Sequence, residues 1–171
     1  MPTTPQDDIG RVGASLFREA DRARLNEVHA QLALVVYLAA ETCPLKLRVL
    51  EGVRTPARQA ELVRTGASRT QHSRHLTGHA VDLAPVVDGV PRWDWPLYFQ
   101  IAEHMRRAAI ALKVPLRWGG VWDTPLDQLP ATAAEIEDAQ GAYIERVRAA
   151  GQRPFLDGPH FEIPFDAPGY A

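Results

Sequence analysis

Two short stretches of this chain gather histidines and carboxylates at spacings that could hold a metal ion. One is Ser73-Arg74-His75-Leu76-Thr77-Gly78-His79-Ala80-Val81-Asp82; the other is Asp157-Gly158-Pro159-His160-Phe161-Glu162. Zinc accepts imidazole nitrogen, and carboxylate oxygen where thiolates are absent; a catalytic site uses three such ligands and leaves a fourth position to water. His75, Asp82 and His160 make such a set. Gly78 lets the chain turn sharply between the first two. Strand alternation would place Ala80 and Asp82 on one face and Val81 and Leu83 on the other, the small Ala80 leaving room beside an ion. Asp157, three residues before His160, would then act on water made acidic by the metal, taking its proton and passing it to a leaving amine.

Each piece also has a plainer explanation. Asp82 can be a strand-end turn carboxylate, and Asp157-Gly158 simply a turn. His29 and His104 fall in helical patterns and read as structural, and His72 as a loop histidine. His79 rivals His75 as a ligand, four residues along. The zincin helix that this spacing brings to mind needs Glu directly after the first His, where this chain has Leu76, and Gly78 disfavours a helix.

The elements that must position these residues follow from periodicity. Leu25, Val28, Leu32, Val35, Val36 and Ala39 recur at three- and four-residue steps, predicting a helix from about Leu16 to Thr42, stopped by Pro44. Leu45 to Val53 alternates as a strand. Thr55-Pro56 opens a short helix that ends at Gly66. Residues 67–77 read as irregular, Ala80–Pro85 as a strand and Val87-Asp88-Gly89-Val90 as a turn. Pro96 to Lys113 is a second amphipathic helix, Val114–Trp118 a short strand followed by Gly119-Gly120. Thr132-Ala133-Ala134-Glu135 is a capping box that starts a helix running to about Ala150. His160–Ile163 closes the pattern as a strand. This order predicts a single α+β domain, residues 15–171, with helices on a small, mostly antiparallel sheet, preceded by a flexible arm at 1–14.

Bulk composition narrows the partners. The 171 residues are 46% hydrophobic and 23% charged, with net charge −2, the balance of an ordinary globule large enough to fold without disulfides. Such a charge gives no broad positive field, so nucleic acid is not an expected partner; Arg54, Arg58, Arg64, Arg69 and Arg74 cluster in sequence but bring no aromatic ladder. The single cysteine, Cys43, forbids an internal disulfide and reads as a half-buried thiol at a helix end. The N-terminal residues lack a basic and an apolar region, and no apolar run could span a bilayer. The expectation is cytoplasmic synthesis without a signal peptide, no membrane partner, and action at a cell wall only after release or export by another factor.

On these residues the sequence resembles the zinc peptidases of family M15, which include D-Ala-D-Ala carboxypeptidases and phage L-alanyl-D-glutamate endolysins. The family motif S-x-H-x-x-G-x-A-x-D is met by Ser73, His75, Gly78, Ala80 and Asp82. A second, D/E-x-x-H, is met by Asp157 and His160. Gly52-Val53-Arg54-Thr55, followed by Gln59, matches an upstream G-x-R-T element, and Trp118-Gly119-Gly120 a W-G-G element. The resemblance spans about residues 45–163 and implies a Hedgehog/DD-peptidase-like fold. It implies that His75, Asp82 and His160 ligate Zn2+, that Asp157 is the general base, and that Arg54 stabilises an oxyanion or substrate carboxylate. Ser73 and Gln59 would help to orient substrate.

Two departures bear on subtype. Val121 stands where phage-type members commonly have Asp, and a stretch at about 123–156, with its own helix, intervenes before the second motif. Asp at the base position leans toward the endolysin branch. The resulting expectation is a monomeric zinc L-alanyl-D-glutamate endopeptidase acting on peptidoglycan stem peptides. The alternatives are a D-Ala-D-Ala or L,D-carboxypeptidase on the same scaffold and a non-catalytic, zinc-stabilised wall-binding module.

Overall fold

The apolar stripe predicted for the N-terminal third is present, but it serves two helices. The computed structural model describes residues 16–170, so the expected arm at 1–14 lies outside the described residues. α1 (Glu19–Glu27) ends where Val28 turns extended, and α2 (Ala30–Thr42) begins on His29, whose Nδ1 accepts from the Gln31 N–H. The sequence gives little warning of this break, because imidazole is an unusual cap. Leu25, Val28, Leu32, Val35, Val36 and Ala39 are all buried, so the stripe runs straight across it. Cys43 caps α2, and burial pushes its thiol pKa up, as expected of an inert thiol.

The remaining elements are β1 (Lys46–Glu51), α3 (Pro56–Arg64), a 3-10 turn (Arg74–Thr77), β2 (Ala80–Val87), β3 (Val90–Pro91) and α4 (Trp95–Leu112). Then come β4 (Arg117–Trp118), β5 (Val121–Pro125), a second 3-10 turn (Leu126–Gln128), α5 (Ala133–Ala149) and β6 (His160–Glu162). Thr55 caps α3 with Pro56 in its first turn, and the capping box of Thr132 and Glu135 starts α5. The expected strand over Val114–Trp118 shrinks to its last two residues. Gly119-Gly120 turns the chain back into β5, a strand that periodicity did not reveal.

The strands form one sheet in the order β1-β2-β6-β4-β5, with β3 on β2, and every pairing is antiparallel. The domain is α+β, as expected. α4 packs against α2, α5 and β2. Its Ile101 and Met105 are fully excluded from solvent; truncating either to alanine would cost about 2–5 kcal/mol. Among the described residues no helix is long and apolar enough to cross a membrane.

Directly opposed residues on antiparallel strands share a face. Asp82 opposes His160, Ala80 opposes Glu162, and Arg117 also opposes Glu162. Val81 and Trp118 both oppose Phe161. One face of the sheet therefore carries Asp82, His160, Glu162 and Arg117. The other carries Val81, Phe161 and Trp118 into the core, with Trp118 and Phe161 stacked 6.2 Å apart. Ala80 and Asp82 fall on one face, as alternation predicted.

The turn before β6 is clamped to the β4–β5 hairpin. The Gly119 N–H donates to the His160 carbonyl and the Gly119 carbonyl accepts from the Asp157 N–H, each at 2.9 Å, and the Trp118 indole donates to the Gly158 carbonyl. A Cβ on Gly119 would lie 2.3 Å from the Asp157 carbonyl oxygen and 2.9 Å from its Cβ. Gly119→Ala should therefore lower stability by about 1–3 kcal/mol through backbone displacement, read by urea unfolding. It should also reduce activity, since both Asp157 and His160 move.

Candidate active site

His75, Asp82 and His160 come together although they arrive on three different elements. His75 sits on the 3-10 turn, which starts on Ser73, whose hydroxyl accepts from the His75 N–H, and ends at Gly78 with φ 72°. Asp82 is on β2 and His160 faces it from β6. His75 Nε2, Asp82 Oδ1 and His160 Nδ1 form a triangle with all three sides 3.2 Å.

The outer nitrogens fix what the inner ones present. His75 Nδ1 lies 2.7 Å from the Gly52 carbonyl, which can only accept, so Nδ1 carries the proton and Nε2 turns a lone pair inward. His160 Nε2 lies 2.9 Å from Glu162 Oε2 and donates to it, leaving Nδ1 as the inward lone pair. Glu162 is held in turn by Arg117, whose Nε donates to its Oε1 at 3.0 Å. Two imidazole lone pairs and a carboxylate oxygen thus converge in a buried place, an arrangement that requires a cation at its centre. A tetrahedral ion with bonds about 2.0–2.1 Å long separates its ligand atoms by about 3.3–3.4 Å. The triangle matches that spacing, so the donor set fits a divalent metal.

A proton is the other available cation. Burial opposes charge on His160, but its hydrogen bonds to Asp82 and Glu162 prevail and push its pKa up to about 10. Burial would raise Asp82, yet hydrogen bonds from His160 and His75 hold its carboxyl far below the usual carboxylate range. Asp157 lies on the turn before β6; burial first, then the Asp82 charge, raises its pKa. Arg54 is buried, donating to Gln59 Oε1 at 2.7 Å, pairing with Glu51, and lying 3.5 Å from Asp82 Oδ2. Its Nε remains a buried donor without a partner among the described residues.

These groups line a groove of about 530 Å³. One wall comes from the loop between α3 and the 3-10 turn. The other holds Arg117, Trp122 and Phe155, with Trp122 packed 5.3 Å from the His160 ring. Four carboxylates outnumber three guanidiniums in the lining, which attracts a divalent cation; once one is bound the balance becomes positive.

The residues singled out in the sequence divide clearly. His75, Asp82, His160, Asp157 and Arg54 meet at the groove. Gln59 is buried behind Arg54 and bonds it, while Ser73 lines the groove and caps the turn. His79 does not reach the triangle; its ring lies 5.0 Å from His29, and its Nδ1 contacts Thr77. His104 is buried against the Thr42 hydroxyl. Sequence reasoning gave no role to Glu162, Arg117, Trp122 or Glu51. The signal for Glu162 was present: two residues after His160 on a strand, it must share that histidine's face.

A His-Asp-His triangle that could hold a metal ion opens on a groove, with a further carboxylate and a buried guanidinium at its edge, an arrangement compatible with a metallopeptidase. The chain belongs to the phage L-alanyl-D-glutamate peptidase family, which residues 15–147 match. It is 26% identical over 151 residues to the L-alanyl-D-glutamate peptidase of Escherichia phage T5, covering 86% of this chain and 96% of that protein. The crystal structure of the Serratia marcescens L-Ala D-Glu endopeptidase ChiX superposes with a TM-score of 0.65 at 36% identity, covering 87% of this chain and 90% of that one.

Two outcomes follow from this geometry. Glu162→Gln keeps the shape but removes the charge behind His160, and metal affinity should fall about 10–100-fold in a competition titration with a chromophoric chelator. In metal-free protein, His160 has a folded-state pKa above its ordinary 6.5. Its contribution is complete below that value and is lost as pH climbs through about 10. Urea midpoints of metal-free protein should fall across this window, and those of the metal-loaded form should fall less.

Proposed function

We propose that this chain is a zinc endopeptidase that cleaves the L-Ala–D-Glu bond of peptidoglycan stem peptides. The observation that carries this reading is the 3.2 Å donor triangle of His75, Asp82 and His160, in a chain of the L-alanyl-D-glutamate peptidase family. Two imidazoles and one carboxylate are a donor set suited to zinc, with room for a fourth, exchangeable ligand. Zinc held there supplies Lewis acidity, polarising a carbonyl and acidifying water.

The protein's own groups do the rest. Asp157 accepts a proton from the attacking water as its oxygen bonds to the L-Ala carbonyl carbon. It returns a proton to the D-Glu nitrogen as the C–N bond breaks. A carboxyl whose pKa is raised by burial and by Asp82 is suited to holding that proton between the two steps. Arg54, pinned by Gln59 and Glu51, directs a fixed positive charge at the oxygen that becomes negative. Gln59 acts by setting Arg54, and Ser73 by fixing the turn that carries His75. The stretch at about 123–156, through Phe155 near its end, contributes to one wall of the substrate groove. The enzyme works at the cell wall as a monomer.

Digestion of purified sacculi followed by mass spectrometry tests this. The expected products are glycan strands whose muramyl lactyl groups carry a single L-Ala, and peptides with a new D-Glu amino terminus; release of D-Ala alone would make the chain a carboxypeptidase instead. Asp157→Asn should cut turnover about 10²–10⁴-fold while zinc content by elemental analysis stays unchanged.

A further inference from the structure

Three guanidiniums line the groove, and two of them are committed. Arg54 is tied to Glu51, Gln59 and Asp82, and Arg117 to Glu162. Arg69 is exposed and makes no ion pair among the described residues. It is nevertheless held in place. Its guanidinium carbon sits 4.7 Å from the centroid of the Phe155 ring, and its Nη1 donates to the Arg153 carbonyl at 3.4 Å. The residues on either side are anchored too: the buried Gln59 donates from Nε2 to Ser68 Oγ at 2.9 Å and to the Thr70 carbonyl at 2.5 Å. A rigid fork of donors, stacked on an aromatic ring and lacking a counter-ion, is a ready-made carboxylate receptor.

The substrate offers carboxylates on one side only. In the stem, the L-Ala amine is blocked by the muramyl lactyl amide. D-Glu continues the chain through its γ-carboxyl, so its α-carboxylate is free. A diaminopimelate residue after it adds another free carboxylate at its far end. All of these lie on the leaving-group side of the scissile bond.

We infer that Arg69 is a specificity residue that binds a free stem-peptide carboxylate on the leaving-group side. The inference rests on the endopeptidase reading above. It makes the enzyme sensitive to a chemical variation of the wall, the amidation of those carboxylates.

The test compares the full-length wild type and Arg69→Gln, both zinc-loaded, on three muramyl peptides with amidated C-termini. The first carries γ-D-Glu and lysine, the second D-isoglutamine and diaminopimelate, the third D-isoglutamine and lysine. The expected result is a loss of about tenfold to a hundredfold in kcat/KM for Arg69→Gln on the first or the second, mainly through KM. On the third, which has no free carboxylate, the two proteins should be equal. The peptide on which the loss falls identifies the carboxylate, and Arg69→Lys should recover part of it. Equal rates on all three peptides, or the same loss on all three, would overturn the inference. Failure of the wild type to cut any of them would instead overturn the endopeptidase reading, and the inference with it. Unchanged melting temperature and zinc content in Arg69→Gln establish that the fold is intact.

Discussion

The site is organised around a repulsion. His75 Nε2 and His160 Nδ1 face one another at 3.2 Å, each with its other nitrogen committed outward as a donor, and Asp82 presents an oxygen at the same distance from both. Three electron-rich atoms so close together, away from water, are tolerable only with positive charge among them. The outward partners, the Gly52 carbonyl and Glu162, create this demand by fixing both tautomers. Much of the surrounding architecture can be read as support for that one arrangement: the Ser73 cap and the Gly78 turn for His75, and the Arg117–Glu162 pair for His160.

The sheet separates chemistry from packing by alternation alone. On β6, His160 and Glu162 look toward the groove while Phe161 between them stacks on Trp118 in the core. A three-residue strand thus contributes one imidazole of the triangle, the carboxylate that orients it and a core aromatic. The clamp between Gly119 and the Asp157–His160 turn adds the Asp157 carboxylate to the same rigid unit.

How much of this was legible depended on whether the signal was local. The grouping of His75, Asp82 and His160, the Thr55 and Thr132 caps and the α+β class could be read from residue types at short spacings, and the family motifs joined the distant pieces. The break at His29 could not be read, because the apolar stripe continues through it and the cap is an imidazole. β5 was hidden because Gly119-Gly120 reads as a loop and the strand's partner is only two residues long. The placement of Arg117 behind Glu162 depends on a pairing between positions 45 residues apart, which no local pattern encodes.

The Asp82–His160 register has a consequence for how the molecule assembles. Because side chains alternate with period two, sliding β6 by one residue along β2 would swing His160 and Glu162 into the oily interior and push Phe161 out into the groove. Such a chain would lose the His160 corner of the triangle and its core together, leaving little room for a stable mispaired relative. An ion captured by this triangle would therefore proofread strand pairing: it could dwell only in molecules whose sheet has closed correctly, and by dwelling there it would enrich them.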